Sequence, residues 1–98
     1  MNLRFSGQAK EDLIDLWEYI AVLDELAADR YLDCVLERSG ELLVHPELGR
    51  PRPEAQSGIR SLICRNHLIF YRIRPDAIEV LRILHGSMDL LNHEFEEE

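Results

Sequence analysis

The segment from Gly58 to Asp89 constrains the fold of this chain more than any other part of the sequence. It contains three runs rich in Ile, Leu, Val, Phe and Tyr, separated by Arg65-Asn66-His67 and by Pro75-Asp76-Ala77. These two interruptions use residues that favour turns and are rare inside strands. Because loops of this length leave no room for a crossover helix, the segment is predicted to form an antiparallel three-stranded meander.

Alternation along the second and third strands predicts their register. If the second turn centres on Asp76, one face carries the pairs Arg72 with Val80, Phe70 with Arg82, and Leu68 with Leu84. The other face is apolar and is predicted to be the core: Ile69, Tyr71, Ile73, Leu81 and Ile83. The first face mixes apolar side chains with two arginines, so we expect it to be partly solvated.

Two registers of the first strand differ in the side chains that they bury. A turn centred on Asn66 sends Ile59 and Ile63 to the core and places Arg60 and Leu62 on the mixed face. The alternative register buries Arg60, and a buried charge is costly unless it is paired. We therefore expect Arg60 to share a face with Arg72 and Arg82.

Two amphipathic helices precede the meander. Ser6 is predicted to cap the first, whose buried stripe follows three- and four-residue spacing: Ala9, Leu13, Leu16, Trp17 and Ile20. Its solvent side is expected to carry Glu11, Asp12, Asp15 and Glu18. Asp24 is predicted to cap a second helix that runs from about Glu25 to Val44, and His45-Pro46 ends it. The short link between them predicts an αα-hairpin.

The remaining segments complete a predicted α+β fold. Asn2–Phe5 is expected to add a short edge strand, and residues 46–58, with three prolines and two glycines, are typical of an irregular loop. Ser87 is predicted to cap a short helical tail. The expected architecture is one domain over residues 1–98, in which a helix hairpin packs on one face of a small antiparallel sheet in the order β-α-α-β-β-β, with a short C-terminal helical tail.

Composition limits the class of protein. No apolar run approaches the roughly 20 residues of a membrane span, and the opening Met-Asn-Leu-Arg-Phe lacks the apolar stretch of a secretory signal. We expect a cytoplasmic protein without a membrane partner, in which Cys34 and Cys64 are reduced and buried, although a disulfide between them stays open. The four histidines show no ligand spacing with the cysteines, so no metal and no other cofactor is expected.

Charge is distributed unevenly along the chain. Residues 1–45 carry 4 basic and 10 acidic groups, whereas residues 46–89 carry 7 and 5. Non-specific nucleic-acid binding usually needs several phosphate contacts from Lys or Arg, and Lys10 is the single lysine in the sequence. We therefore expect no direct sequence-specific DNA binding, while a local arginine patch stays open.

The order of elements and several local motifs resemble the RelE/ParE toxin superfamily, and the motifs are most similar to its ParE branch. The matching pieces span nearly the whole chain: Ala9-Lys10-Glu11-Asp12-Leu13 with Trp17 and Ile20, His45-Pro46-Glu47-Leu48-Gly49-Arg50-Pro51, Gly58-Ile59-Arg60-Ser61, Leu68-Ile69-Phe70-Tyr71-Arg72, and Val80-Leu81-Arg82-Ile83-Leu84-His85 with Met88-Asp89 and His93 beyond. Glu94 departs from the pattern, in which leucine is usual at that position.

The resemblance implies a toxin of a type II toxin-antitoxin pair. ParE-like proteins inhibit DNA gyrase and so stop replication, and a ParD-like antitoxin would be the neutralising partner. The target-binding residues would then be Arg60, Arg72, Arg82, His85, Met88 and Asp89. The antitoxin would cover Leu13, Trp17 and Ile20 at the rim of the helices, together with Arg60, Arg72 and Arg82.

RelE-like relatives instead cut messenger RNA on the ribosome, which requires a general base, a general acid and cations near the phosphate. The first meander strand here has no lysine, and a guanidinium group does not deprotonate in proteins. His85 is the one titratable candidate nearby, and it is predicted to point toward the core face. We therefore expect no catalytic residues and a gyrase inhibitor that acts by binding. A ribosome-dependent endoribonuclease and a non-toxic, antitoxin-binding family member remain the alternatives.

Overall fold

The structure, a computed structural model, describes residues 1–86. Two helices follow the first strand, and four more strands follow the helices. The elements are β1 (Asn2–Phe5), α1 (Gly7–Ala21), α2 (Glu25–Gly40), a 3₁₀ turn (Glu41–Leu43), β2 (Arg50–Pro51), β3 (Ile59–Cys64), β4 (His67–Ile73) and β5 (Ala77–His85).

The five strands form one sheet in the order β1-β5-β4-β3-β2. The meander β3-β4-β5 is antiparallel as predicted, and β1 joins its edge. β1 runs parallel to β5, and the two helices that follow β1 carry the chain across one face of the sheet. The α+β fold class is confirmed, and the sheet is mixed rather than wholly antiparallel.

Both helices begin at the predicted capping residues. Ser6 Oγ accepts from the Ala9 amide at 3.0 Å, and Asp24 Oδ1 accepts from the Ala27 amide at 3.1 Å. Ser6 is fully buried and its hydroxyl also donates to the Leu81 carbonyl at 2.8 Å, which fixes the start of α1 to β5. The second helix ends at Gly40 rather than Val44, since the chain tightens there into a 3₁₀ turn before Pro46.

The helices cover one face of the sheet, which we call the helix side. The main core lies between the helices and the sheet. Its residues are Ala9, Leu16, Val35, Leu42, Leu62, Cys64, Ile69, Tyr71, Ile78, Val80 and Ile83. The stripe of α1 and the alternation of β4 correctly predicted Ala9, Leu16, Ile69 and Tyr71 in this core. Two further predictions were wrong, because Ile73 is 38% exposed and Trp17 lies outside the core cluster. No helix in the described part of the chain is long and apolar enough to cross a membrane.

A β-bulge changes the predicted pairing of β4 with β5. Phe70 pairs with Arg82 and Leu68 with Leu84 as expected, but the register shifts at the next position. Tyr71 then faces Val80 and Arg72 faces Glu79, so the predicted pair of Arg72 with Val80 is wrong. Leu81 is the additional residue, and it packs on the side away from the helices rather than in the main core.

The first strand of the meander is shifted by one residue from its predicted register. Cys64 pairs with His67, so the turn contains two residues, and Arg65 adopts a left-handed conformation with φ of 54°. A shift of one residue exchanges the two faces of a strand. Leu62 therefore enters the main core, while Ile63 is 63% exposed.

The side of the sheet away from the helices, which we call the open side, has a smaller apolar cluster. It contains Ile59, Phe70, Leu81 and Leu84, all buried, with Ala55 and Leu68 packed against them. The expectation of a partly solvated face is therefore wrong for these positions.

Candidate functional site

Arg60 lies on the helix side, beside the loop that leads from the helices to the sheet. It pairs with Tyr71, and direct partners in antiparallel strands share a face. Its Nε donates to the Gly49 carbonyl at 2.9 Å and its Nη2 to the Glu47 carbonyl at 3.2 Å. The Tyr71 hydroxyl donates to the Pro46 carbonyl at 2.7 Å and accepts from the Gly49 amide at 2.9 Å. Arg60 and Tyr71 together hold this loop against the sheet.

Arg72 lies on the open side, where its side chain is largely buried. It pairs with Ile59 and Glu79 on the neighbouring strands, and its Nη2 donates to Gln56 Oε1 at 2.8 Å. Glu79 is fully buried, and Arg74 Nε donates to its Oε1 at 3.3 Å. A carboxylate in the interior is stable only beside groups that neutralise it. Arg74 supplies that compensation at Oε1, whereas Glu79 Oε2 is buried without a hydrogen-bond partner among the described residues.

Arg82 is bound by Asp12 of α1. Its Nε donates to Asp12 Oδ2 at 2.8 Å and its Nη2 to Oδ1 at 3.1 Å, which is the two-point geometry that makes guanidinium-carboxylate pairs strong. The Ile83 amide also donates to Oδ2, at 2.9 Å. The Arg82 and Asp12 side chains are 16% and 11% exposed, so the pair lies mostly out of water.

The three arginines therefore do not form one patch, and the prediction that they share a face is wrong. The shifted register of β3 turns Arg60 to the helix side, and Asp12 holds Arg82 against α1. Each guanidinium group has protein partners that are part of the fold. Their roles in binding a target or an antitoxin stay predictions.

Three rings meet at the end of the sheet beside α2. The Tyr31 hydroxyl lies 2.7 Å from Nδ1 of His67, and the ring centroids of His67 and His85 are 5.4 Å apart in an edge-to-face arrangement. Burial, and then the charge of His85, lower the pKa of His67, and Asp12 opposes them. Burial raises the pKa of Tyr31. The neutral form of His67 is thus favoured.

The predicted position of His85 on the helix side agrees with its contact with His67, although its side chain is exposed at the strand end. Both histidines line a cavity of about 390 Å³ with Asp12, Tyr19 and Arg82. The two other predicted target-binding residues, Met88 and Asp89, lie outside the described residues, as do the Ser87 cap and Glu94. Within residues 1–86, no three His, Cys, Asp or Glu side chains are placed to hold a metal ion.

An apolar groove, which we call the hairpin groove, runs between α1 and α2. Its cavity of about 350 Å³ is lined by Leu13, Ile14, Trp17, Glu18, Leu32 and Leu36. Two of the three rim residues predicted for antitoxin binding, Leu13 and Trp17, lie here, whereas Ile20 packs against the main core and does not line the groove. Trp17 is held in place because its Nε1 donates to Asp29 Oδ1 at 2.8 Å.

Sequence reasoning missed the apolar tip of the hairpin. Val22 and Leu23, beside the turn between the helices, are 84% and 89% exposed, and Tyr19 and Leu26 are exposed next to them. A cluster of exposed apolar side chains is typical of an interaction surface. The sequence did contain a signal for this surface. Val22 and Leu23 lie in the short link between the helices, outside the apolar stripe that either helix buries, so they could have been predicted to be exposed.

Sequence reasoning also missed arginines on the open side. Arg4 is aligned with Glu79 and Arg50 with Ser61, so both share the face of Arg72, and Arg52 Nε donates to Ser61 Oγ at 2.8 Å. We call Arg4, Arg50, Arg52 and Arg72 the arginine face. The signal was present in β1, because Leu3 and Phe5 pack against the main core and leave Arg4 on the other side.

Comparisons with known proteins agree with this architecture. Residues 3–90 match the family described as ParE toxin of type II toxin-antitoxin system, parDE. Toxin ParE1 of Caulobacter vibrioides is 36% identical over 94 residues, which cover 92% of this chain and 94% of that protein. Toxin RelE3 of the same organism is 32% identical over 86 residues, which cover 87% of this chain and 94% of that protein.

Two solved structures share the fold. The chromosomal ParDE toxin-antitoxin system from P. aeruginosa aligns with a TM-score of 0.78 at 23% identity, over 89% of this chain and 97% of that chain. The RelBE2 toxin-antitoxin complex from Mycobacterium tuberculosis aligns with a TM-score of 0.67 at 26% identity, over 86% of this chain and 95% of that chain. Because the family match runs from β1 beyond β5 and the arrangement of strands and helices agrees with it, this chain belongs to the ParE toxin family of type II toxin-antitoxin systems.

Proposed function

We propose that this chain is a cytoplasmic toxin that inhibits DNA gyrase, and so DNA replication, by binding to it, and that a ParD-like antitoxin neutralises it. Membership of the ParE family and the similarity to Toxin ParE1 support the proposal. No chemistry of its own is required of a protein that inhibits by occupying or distorting a target.

The observation that carries the proposal is the engagement of the arginines within the fold. Asp12 accepts two hydrogen bonds from Arg82 and neutralises its charge. Arg60 donates hydrogen bonds to the carbonyls of Glu47 and Gly49. A nuclease needs cations directed at the phosphate and a base directed at the 2′-hydroxyl. Guanidinium groups that hold the loop and helix α1 in place favour binding over bond cleavage.

The arginine face is the surface that we assign to the target. Arg50 is exposed on β2, and half of the Arg4 side chain is exposed at the opposite edge of the sheet. Charged groups at the rim of an interface accelerate association and select partners of opposite charge. An acidic surface of gyrase, or DNA held by gyrase, would complement this face.

The hairpin groove is the surface that we assign to the antitoxin. Its lining is mostly apolar, and residues 7–40 around it carry 9 acidic and 3 basic groups. A groove of this kind accepts the apolar stripe of an amphipathic helix. The antitoxin segment should therefore carry apolar residues at three- and four-residue spacing with Lys or Arg beside them.

The decisive experiment measures supercoiling by purified gyrase in the presence of the full-length chain. We expect supercoiling to stop and cleaved plasmid to accumulate. Arg50→Glu should weaken inhibition at least tenfold, whereas Arg30→Glu, the same charge reversal at an exposed position of α2, should not. Unaffected supercoiling, together with normal growth when the chain is produced without its partner, would contradict the proposal and favour a non-toxic, antitoxin-binding family member.

A ribosome-dependent endoribonuclease is the second candidate. The observation in its favour is the cavity where His67 and His85 lie beside Arg82, since two imidazoles can exchange a proton while a cation stabilises a phosphate. Similarity to Toxin RelE3 points the same way. If ribosome-bound messages are cut by the chain and remain intact with His67→Gln or His85→Gln, this candidate replaces gyrase inhibition. Inhibition of gyrase by both variants supports the first proposal.

A further inference from the structure

Two side chains of α2, seven residues apart, contact the end of β3 and its connection to β4. At one end the Tyr31 hydroxyl accepts from the Asn66 amide at 3.3 Å, and at the other Arg38 Nε donates to the Ile63 carbonyl at 3.0 Å. Cys34 lies between Tyr31 and Arg38 in the sequence, three residues after the first and four before the second. This spacing puts all three side chains on one side of the helix. Cys34 is therefore directed at the part of β3 that lies between Ile63 and Asn66.

The residue that Cys34 meets there is Cys64. Cys34 packs against the main core, in which Cys64 is a buried member, and Cys64 lies in the part of β3 at which Cys34 is directed. Both are free thiols in this structure. Burial and the neighbouring Cys34 raise the pKa of Cys64 to about 11, against the opposing charges of Arg38 and Arg65. A thiol in this state is a poor nucleophile by itself but is well placed to resolve a bond formed on its neighbour.

We propose that Cys34 and Cys64 form a reversible disulfide site, which fastens α2 to the end of β3 when a small disulfide oxidant such as oxidised glutathione is present. The core does not require the disulfide bond, because the two reduced thiols already fill the space as small apolar groups. Their juxtaposition adds a covalent state that neither cysteine has alone.

The chemistry balances with one molecule of oxidant. The partly exposed Cys34 reacts first: its thiolate attacks one sulfur of oxidised glutathione, a bond from Cys34 to glutathione forms, and one glutathione thiolate leaves and takes up the Cys34 proton. Cys64 then loses its proton and attacks the Cys34 sulfur, and the second glutathione leaves as a thiol. The protein loses two electrons and two protons, which reduce one disulfide to two thiols.

The bond would close a loop from residue 34 to residue 64 and so restrict the unfolded chain. For a loop of about 30 residues, closure lowers the equilibrium constant for unfolding by roughly a hundredfold or more. Neither cysteine belongs to the hairpin groove or to the arginine face, so both partner surfaces should stay available. The oxidised toxin would then be the more persistent form of an otherwise unchanged binding protein.

The test begins with the reduced full-length chain, incubated with oxidised glutathione and analysed by intact mass and peptide mapping. We expect a monomer that has lost two hydrogen atoms in mass, with a linked peptide pair that contains Cys34 and Cys64. Its thermal or urea unfolding should shift to higher temperature or denaturant concentration, and dithiothreitol should reverse the shift.

Two single variants separate the site from general thiol oxidation. Cys64→Ala should stop at a stable glutathione adduct on Cys34, and Cys34→Ala should leave the buried Cys64 unmodified. The proposal is overturned if the wild-type chain keeps both thiols free, if it stops at the adduct, if it forms only disulfide-linked dimers, or if the internal bond forms without a change in unfolding. Mapping of the wild-type chain decides the matter even where a variant does not fold.

Discussion

Asp12 binds Arg82 through both of its carboxylate oxygens and so joins the first helix to the last described strand, 70 residues further along the chain. The acidic positions of α1 were expected on its solvent side, yet this carboxylate lies at the edge of β5, where it also accepts the Ile83 amide. β1 pairs with β5 only as far as Val80, and Asp12 provides a partner for the strand beyond that point.

Replacing Asp12 by alanine should lower the free energy of unfolding by about 3 kcal/mol, because it leaves the mostly buried guanidinium of Arg82 without its counter-ion. Glu11→Ala, the same kind of change at the exposed neighbouring position, should alter it by less than about 0.5 kcal/mol. Urea unfolding followed by circular dichroism measures both. Equal effects of the two changes would show that the Asp12–Arg82 pair contributes nothing.

Two glycines should respond to alanine in opposite directions. A Cβ at Gly49 would lie 2.6 Å from Tyr71 Cε1 and 2.7 Å from the Ser61 carbonyl oxygen, so Gly49→Ala should cost about 2 kcal/mol. A Cβ at Gly40 meets nothing within 4 Å, and its φ of −63° is helical, so Gly40→Ala should stabilise the chain by about 0.5–1 kcal/mol. Melting temperatures of the two variants test the pair, and a change of the same sign in both would contradict the prediction.

Stability should decrease in mild acid because of His67. Its pKa lies below the ordinary value of 6.5, so between the two values the unfolded chain binds more protons than the folded one. The contribution of His67 to the free energy of unfolding is therefore fully present above pH 6.5. It is lost as the pH falls through the lower pKa that His67 has in the folded chain. Unfolding measured from pH 8 to pH 5 should show this loss in the wild-type chain.

Two histidine variants provide the control for that measurement. His67→Gln should flatten the decrease, whereas the same change at the exposed His45 should leave it unchanged. An identical pH profile in the wild-type chain and His67→Gln would remove His67 as the cause.

The hairpin groove should be the antitoxin surface. Ile14 lines it and is more than half exposed, so Ile14→Glu should weaken antitoxin binding at least tenfold without unfolding the chain. Val44→Glu introduces the same charge at an exposed apolar residue outside the groove and should bind normally. Calorimetric titration with the cognate antitoxin gives both affinities, and normal binding by Ile14→Glu would place the antitoxin elsewhere.

Local signals predicted the helices well. Ser6 and Asp24 cap them as expected, since a side-chain oxygen ahead of an apolar stripe satisfies amides that the first turn leaves open. The pairs Phe70–Arg82 and Leu68–Leu84 were also correct, because two long alternating runs around a short turn admit few registers. These features depend on residues close together in the sequence.

The candidate site was harder to predict because single-residue shifts decide it. The turn at Arg65 uses a left-handed backbone without a glycine to mark it, and around the bulge alternation alone does not decide which residue of Val80-Leu81-Arg82 is left without a partner. Avoiding a buried Arg60 was the wrong criterion, since the carbonyls of Glu47 and Gly49 satisfy its guanidinium group on the helix side. Those partners belong to an irregular loop whose path no local pattern indicates.

The parallel pairing of β1 with β5 sets the order in which this protein can be completed during synthesis. Asn2–Phe5 leaves the ribosome well before the residues that it pairs with, Ala77 to Val80, are made. Ser6 likewise waits for the Leu81 carbonyl before the start of α1 is fixed. A nascent chain can therefore form its helix hairpin before β5 exists, but β1 can join the sheet only after β5 has been made.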